Sequence, residues 1–279
     1  MKKLVFIGAG SMAEALISGI IENNLLSGDS LWVTNRQDKS RLQHLKQKYG
    51  VNTSYDFKEL FDEADSVILA MKPKDAAIAV NEIKHFLSGR TLIISVLAGV
   101  PIATIENAAG KPLAVVRAMP NTSAAIGKSA TAVSINSRVS ESQRQLVEEL
   151  FNTVGLTAFV EETQLDAVTG LSGSGPAYIY YLVEAMEKSA VEIGLDQQMA
   201  QELIVQTLIG AAEMVAKSSK TPKQLRLEVT SPGGTTEAGI GILEQHKVQQ
   251  AFISCIKEAA AHSKKLGDNL SKEKLETRR

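Results

Sequence analysis

Residues 4–22 read LVFIGAGSMAEALISGIIE. Four apolar strand formers, Leu4 to Ile7, run straight into Gly8-Ala9-Gly10-Ser11-Met12-Ala13, and helical spacing of apolar residues starts immediately afterwards. The pattern is G-x-G-x-x-A between a strand and a helix. Gly8 permits a tight turn, Gly10 lets the backbone come close to a pyrophosphate, and the helix start offers free N–H groups with partial positive charge. A bare structural turn is the competing reading, because glycines also meet in loops by chance. The strand–turn–helix context favours a dinucleotide.

Moving outward, LWVTN (31–35), SVILAM (66–71), TLIISVLA (91–98), LAVVRAMP (113–120), ATAVSIN (130–136) and LTAFVE (156–161) read as further strands. Helical patterns fall between them at 41–50, 75–87, 102–109 and near 140–152. Strands that alternate with helices and are apolar on both faces imply a parallel sheet covered on both sides, in the doubly wound order of nucleotide-binding folds. After about residue 162 the strand signals stop. Long helical patterns take over at 177–194, 199–218 and 243–267, and the polar tail from Asp268 is expected to be frayed or disordered. The expected fold is an α/β N-terminal Rossmann-like dinucleotide-binding domain, residues 1–161, followed by an all-α domain, residues 162–279.

The totals exclude several classes. In 279 residues, 44% are hydrophobic and 22% charged, as in soluble globular proteins. A formal charge of -1 gives no field towards nucleic acid or anionic lipid. No apolar run approaches the ~20 residues a membrane helix needs. The start resembles a signal peptide, but Gly8, Gly10 and Glu14 interrupt its apolar run, so a cytoplasmic protein is expected. The single cysteine, Cys255, forms no internal disulfide and reads as a small buried hydrophobe rather than a nucleophile. No HExxH motif or Cys/His cluster is present, so no metal is expected, and the four histidines lie outside every motif.

The remaining motifs sit where ligands bind. In TNR (34–36), Asn35 and Arg36 stand where an NAD-binding chain usually carries a carboxylate for the ribose. A guanidinium there suits a 2′-phosphate, which predicts a preference for NADPH; a solvated surface arginine is the alternative. Asp38 is near enough to leave NADH in play. AMKPK (70–74), VLAGV (96–100) and RAMPNT (117–122) each follow an inner strand at its carboxyl end, the crevice where open α/β sheets bind ligands. There Lys72 or Lys74 could face phosphate or ribose, or simply solvent, and Met119-Pro120-Asn121 could shape a nicotinamide pocket. In TGLSGSGPAYIYYLVEA (169–185), Ser174 falls near a helix N-cap and Pro176 in the first turn, either beside a ligand or in a tight helix contact. VTSPGGTTEAGI (229–240) presents another set of backbone N–H groups with hydroxyls before a helix. That is an anion site of carboxylate size, or else a capped turn without a ligand. The pyrophosphate role is already taken at 8–13, so an acidic small substrate is the expected occupant.

Together, GAGSMA, AMKP, VLAGV, RAMPNT, TGLSGSGPAY and VTSPGGTT resemble the pyrroline-5-carboxylate reductase family in order and spacing, over nearly all of residues 4–265. The resemblance implies reduction of L-1-pyrroline-5-carboxylate to L-proline by NAD(P)H, the last step of proline biosynthesis. It also implies that the helical domain interlocks into a homodimer, that dimers can assemble into decamers, and that the active site lies between one Rossmann domain and the helices of the dimer. Carried over, Thr236 would hydrogen-bond the pyrroline nitrogen as the catalytic residue. Gly234, Thr235 and Thr236 would hold the carboxylate through backbone N–H groups, with Ser231 nearby and Ser174 counted among the substrate-binding candidates. Cofactor contacts would fall on Ile7, Gly8, Ala9, Gly10, Ser11, Met12, Asn35, Arg36, Ala70, Met71, Lys72, Pro73, Ala98 and Gly99. Many members carry Ala where this chain has Thr235. The rivals are a β-hydroxyacid dehydrogenase, which would want a lysine in a glycine-rich motif of the helical half, a non-catalytic dinucleotide sensor, and a structural helical dimer with a relic nucleotide domain.

Overall fold

The computed structural model describes residues 2–276, with side chains through Asn269. The chain forms two compact units. One runs to Pro176 and takes up the chain again from Glu258; the other is Ala177–Lys257. The change of texture near residue 162 therefore precedes the structural division, which falls inside two helices.

The first unit is built on one eight-stranded sheet of order β3-β2-β1-β4-β5-β6-β7-β8. Its strands are β1 (Leu4–Ile7), β2 (Leu31–Thr34), β3 (Asn52–Thr53), β4 (Ser66–Leu69), β5 (Leu92–Ser95), β6 (Ala114–Met119), β7 (Ser129–Ile135) and β8 (Gly155–Phe159). The first six are parallel and follow the doubly wound order, with the direction of winding reversed between β1 and β4. The all-parallel expectation fails at β7, which runs antiparallel to β6, pairing Val116 with Ile135 and Met119 with Ala132. Residues 120–128 are too few for the helical crossover that a parallel return requires, so the chain turns back on itself. A crossover follows before β8, which is parallel to β7.

Alternation along the strands divides the core in two. Leu4, Phe6, Ile68, Ile94 and Val116 face one way, onto α1 (Ser11–Glu22), α2 (Lys39–Tyr49) and α6 (Glu141–Asn152). Val5, Ile7, Val67, Leu69, Ile93 and Val115 face the other way, onto α3 (Phe57–Phe61), α4 (Ala76–Ile83) and α5 (Ile102–Ala109). Burial on both faces is why these strands read as unbroken apolar runs. Each fully buried Leu, Ile or Phe contributes roughly 1.5–3 kcal/mol relative to exposure. After β8 come α7 (Leu165–Val168) and one π-helical turn, Thr169–Gly173.

The remaining helices are α8 (Gly175–Glu192), α9 (Gln197–Lys217), α10 (Pro222–Glu228), α11 (Thr235–Gln245) and α12 (Val248–Glu276). The expected single helix over 243–267 is interrupted at His246–Lys247, where Lys247 adopts a left-handed φ of 53°, and α12 begins one residue later. The tail expected to fray continues α12 as far as Glu276, because Lys, Glu and Leu are good helix formers and no Gly or Pro follows Gly267. Residues 277–279, the rest of that expected tail, lie outside the described residues. Among the described residues of the second unit, only Ala190, Ala200 and Ile204 are buried apolar side chains. Tyr180, Tyr181, Ile193, Leu203 and Met214 are exposed, and so is Cys255, contrary to its expected burial. None of the described helices is long and apolar enough to cross a membrane.

Candidate active site

The glycine loop 8–10 joins β1 to α1 where three strand ends meet. The Gly8 N–H donates to the Thr34 carbonyl of β2 at 2.8 Å, and the Ala70 N–H donates to the Ile7 carbonyl at 2.9 Å. Gly8 has φ +115°, and a Cβ there would stand 2.4 Å from the Ala70 carbonyl oxygen, so only glycine fits. Gly10 differs. It is the N-cap of α1, no side chain caps that helix, and a Cβ on Gly10 would meet no protein atom within 4 Å. Internal packing does not account for this glycine; its open face over uncapped N–H groups leaves room for an anion such as a pyrophosphate.

A second layer holds the loop. Arg41 of α2 donates through Nε to the Ala9 carbonyl at 2.7 Å and through Nη2 to Glu14 Oε2 at 2.5 Å. Lys48 and Tyr49 donate to Glu14 Oε1 at 3.0 and 3.1 Å. Burial pushes the Glu14 carboxyl up, but the hydrogen bonds from Arg41, Lys48 and Tyr49 outweigh it and hold the group at about 2. This cluster clamps α1 to α2 and fixes the carbonyl between the two glycines.

A crevice of about 860 Å³ opens beside the loop. Ile7, Gly8, Ala9, Gly10, Ser11, Met12, Asn35, Arg36, Ala70, Met71 and Lys72 line it, together with Lys74. Pro73, Ala98 and Gly99 are not in its wall. Pro73 opens a short 3₁₀ turn, and Gly99 is buried against α12. Sequence reasoning missed three further lining residues, Tyr55 and Phe57, which follow β3, and Ile78 of α4. The available signal was the aromatic pair in SYDF, just past a two-residue strand too short to be seen as one. Phe57 is held edge-on by Phe61 and Phe86, with ring centroids 6.2 and 6.0 Å away.

At the end of β2 the polar groups divide their roles. Asn35 Nδ2 donates to the Asp38 carbonyl at 2.7 Å, and its Oδ1 accepts from the Asp38 N–H at 2.9 Å and the Tyr55 hydroxyl at 3.0 Å. Asp38 caps α2, accepting from the Arg41 N–H at 2.9 Å and the Ser40 hydroxyl at 2.7 Å, which hold its carboxyl below the usual range. Asn35 therefore shapes the turn and Asp38 closes the helix. Arg36 is exposed, with no hydrogen-bond or ion-pair partner among the described residues.

The second motif region stands in the helical unit. Ser231-Pro232-Gly233 turns back so that the Gly234 N–H, expected as a carboxylate donor, reaches the Ser231 carbonyl at 3.0 Å. The Gly233 N–H is already engaged, donating to the Glu237 carboxylate at 2.7 Å. Gly234 is the N-cap of α11 without a side-chain cap, so the first-turn N–H groups of Thr235 and Thr236 face outward. Both threonines are exposed, and their hydroxyls make no hydrogen bond among the described residues, unlike Thr230, which donates to the Arg226 carbonyl at 2.6 Å.

Ser174 lies in the first unit, where the π-helical turn meets α8, and its N–H donates to the Thr169 carbonyl at 2.9 Å. The neighbouring Gly173 fits against Met119, whose Cε would be 2.8 Å from a Cβ, and Asn121 Nδ2 donates to the Ser172 carbonyl at 3.0 Å. Close packing thus joins Gly173 to Met119 and Ser172 to Asn121.

A doubly wound sheet with a glycine cradle at its switch point is the architecture of dinucleotide-binding proteins. Residues 3–99 match the family model described as NADP oxidoreductase coenzyme F420-dependent, and residues 162–266 match pyrroline-5-carboxylate reductase dimerisation. The chain is 46% identical to pyrroline-5-carboxylate reductase 2 of Bacillus subtilis (strain 168), over 99% of both chains. Among solved structures it is similar to a pyrroline-5-carboxylate reductase from Coxiella burnetii, with 38% identity, a TM-score of 0.86 and coverage of 95% of this chain and 98% of that one. It is likewise similar to a Plasmodium falciparum pyrroline carboxylate reductase with NADP bound, with 31% identity, a TM-score of 0.87 and the same coverage. The chain belongs to the pyrroline-5-carboxylate reductase family.

The Glu14 cluster is open to a stability test. The carboxyl titrates at about 2 in the folded chain against an ordinary 4.5, so its contribution is complete above pH 4.5 and is lost as the pH falls towards 2. Glu14→Gln should cost about 1–2 kcal/mol at pH 7, and the difference in Tm from the parent should close as the pH is lowered through that window. Equal melting temperatures at pH 7 would remove the clamp.

Proposed function

We propose that the chain reduces L-1-pyrroline-5-carboxylate to L-proline with NADPH, as a cytoplasmic homodimer. The observation that carries the substrate half is the start of α11: two outward N–H groups and two unpartnered threonine hydroxyls, in a chain that belongs to this family. An uncapped helix N-terminus favours a carboxylate, and the neighbouring Gly233 N–H already donates to one, that of Glu237. In this reading Thr235 and Thr236 bind the substrate carboxylate through their N–H groups, and Ser231 shapes the turn beneath them. The Thr236 hydroxyl hydrogen-bonds the ring nitrogen, orients the C=N bond and follows its change of charge. A protonated imine takes hydride at carbon without a separate proton donor, which suits a chain whose histidines lie outside the motifs.

The dinucleotide, when bound, supplies the hydride. The residues fit it: the uncapped start of α1 and the open face of Gly10 suit its pyrophosphate, Arg36 its 2′-phosphate, and Tyr55, Phe57 and Ile78 an adenine ring. The preference for NADPH rests on the contrast between Arg36, which is free, and Asp38, which is occupied in capping α2. The dimer reading rests on the helical unit, which buries too few apolar side chains to stand alone and exposes many. A cytoplasmic setting suits the single unpaired cysteine.

Purified protein given pyrroline-5-carboxylate should consume NADPH and yield proline; binding of NADPH without consumption would remove the substrate half. Thr236→Ala should lower kcat by about 10²-fold, the scale of a lost transition-state hydrogen bond, and leave the Kd for NADPH unchanged. Equal losses in both would sink that role. Arg36→Ala should weaken NADPH by about tenfold or more, the worth of one charge-assisted contact, and NADH hardly at all. Parallel losses with the two nucleotides would remove the 2′-phosphate assignment.

A further inference from the structure

VLAGV (96–100) follows β5 at the carboxyl edge of the sheet. With the pyrophosphate on the Gly8 loop and the 2′-phosphate at Arg36, the other half of a dinucleotide lies on the side of β4 and β5. Yet Gly99 is outside the crevice wall and buried against α12. A Cβ on Gly99 would stand 3.3 Å from the Ser263 carbonyl oxygen and 3.4 Å from the Gly267 nitrogen. The converse contact is tighter: a Cβ on Gly267 would stand 2.5 Å from the Gly99 carbonyl oxygen. Glycine is a poor helix former, so its presence inside α12 is explained by this backbone approach.

A polar chain joins the same elements nearby. The Ser263 side chain, 5% exposed as a residue, donates to Asp166 Oδ1 at 2.8 Å. Asp166 Oδ1 also accepts from Arg117 Nη2 at 3.3 Å, and Arg117 Nη1 reaches Glu162 Oε1 at 3.4 Å. That same oxygen of Glu162 accepts the Ile102 N–H at 2.8 Å, in the first turn of α5, where the N-cap Pro101 offers no side-chain acceptor. Arg117 is itself 5% exposed, so each carboxylate is held by a buried charge that would be costly to leave unpaired. Gly267 thus bears on the middle of the β5 loop, and the chain from Ser263 ends on its exit.

We propose that Gly267 and Ser263 of α12 are positioning residues for the dinucleotide, holding the 96–102 segment through Gly99 and through the Asp166–Arg117–Glu162 chain so that it fits the nicotinamide half. This rests on the dinucleotide reading of the crevice. The same contact, together with the left-handed φ of +73° at Gly99, accounts for the glycine in VLAGV.

The test compares two ligands on the full-length chain by calorimetry: NADPH, and 2′,5′-ADP, which carries only the half that Arg36 would hold. Gly267→Ala should bind NADPH at least about fivefold more weakly while 2′,5′-ADP stays within about twofold of the parent, with KM for NADPH raised in step. Equal weakening of both ligands, or no change in either with the fold intact by circular dichroism, would overturn the proposal. Should Gly267→Ala fail to fold, Ser263→Ala, which removes one hydroxyl, decides by the same split, and an unchanged ratio of the two affinities overturns it. A parent chain that binds neither ligand would remove the dinucleotide reading itself, and the positioning role with it.

Discussion

The first unit depends on one close approach. At Gly8 the end of β1 passes between the ends of β2 and β4, donating to Thr34 on one side and lying within a missing Cβ of the Ala70 carbonyl on the other. Any side chain there would force β4 away or block the turn into α1. Because β1 is the strand from which the sheet winds in both directions, the same few atoms set the sheet order and create the crevice. The glycine that makes the fold possible therefore also lines the crevice, and Gly10, two residues on, faces open space.

Charge is used in two different ways around this frame. Glu14 stays partly open to solvent and gathers Arg41, Lys48 and Tyr49, so the cluster clamps α1 to α2 and is titrated away in acid. Arg117 is buried, and its two carboxylates connect β6, the start of α5 and α12. A buried pair of this kind adds little net stability but strongly penalises any arrangement that separates its members. It suits a place where a specific alignment matters more than tightness.

The helical unit follows a different logic. Its helices are apolar over much of their surface, yet within one chain they bury only Ala190, Ala200 and Ile204 among the described residues. Such a unit gains its core by association, which agrees with the dimerisation family model over residues 162–266. The threonine-bearing start of α11 is carried on this same unit.

Much of this was legible in residue order. LVFIGAGSMA declared a strand, a tight turn and an uncapped helix because those features are local, and the unbroken apolar runs declared a sheet covered on both faces because burial on two sides removes alternation. The end of the parallel run at β7 was not legible from apolarity; it follows from the short connection after Met119, which tertiary pairing alone makes decisive. The same holds at the end of β2. The sequence favours Arg36 but leaves Asp38 in play beside it, and only the folded turn commits Asn35 to Asp38, commits Asp38 to α2 and leaves Arg36 free. Gly99 carried a family signature, but its neighbour Gly267 stands at the far end of the chain, and no periodicity connects two glycines whose meeting depends on where a helix docks. The sequence by itself determined what depends on neighbours along the chain: strands, turns, caps and the residue types at each site. The tertiary structure decided which of those groups remain unpartnered, because hydrogen bonds and close backbone contacts between distant segments consume some and spare others.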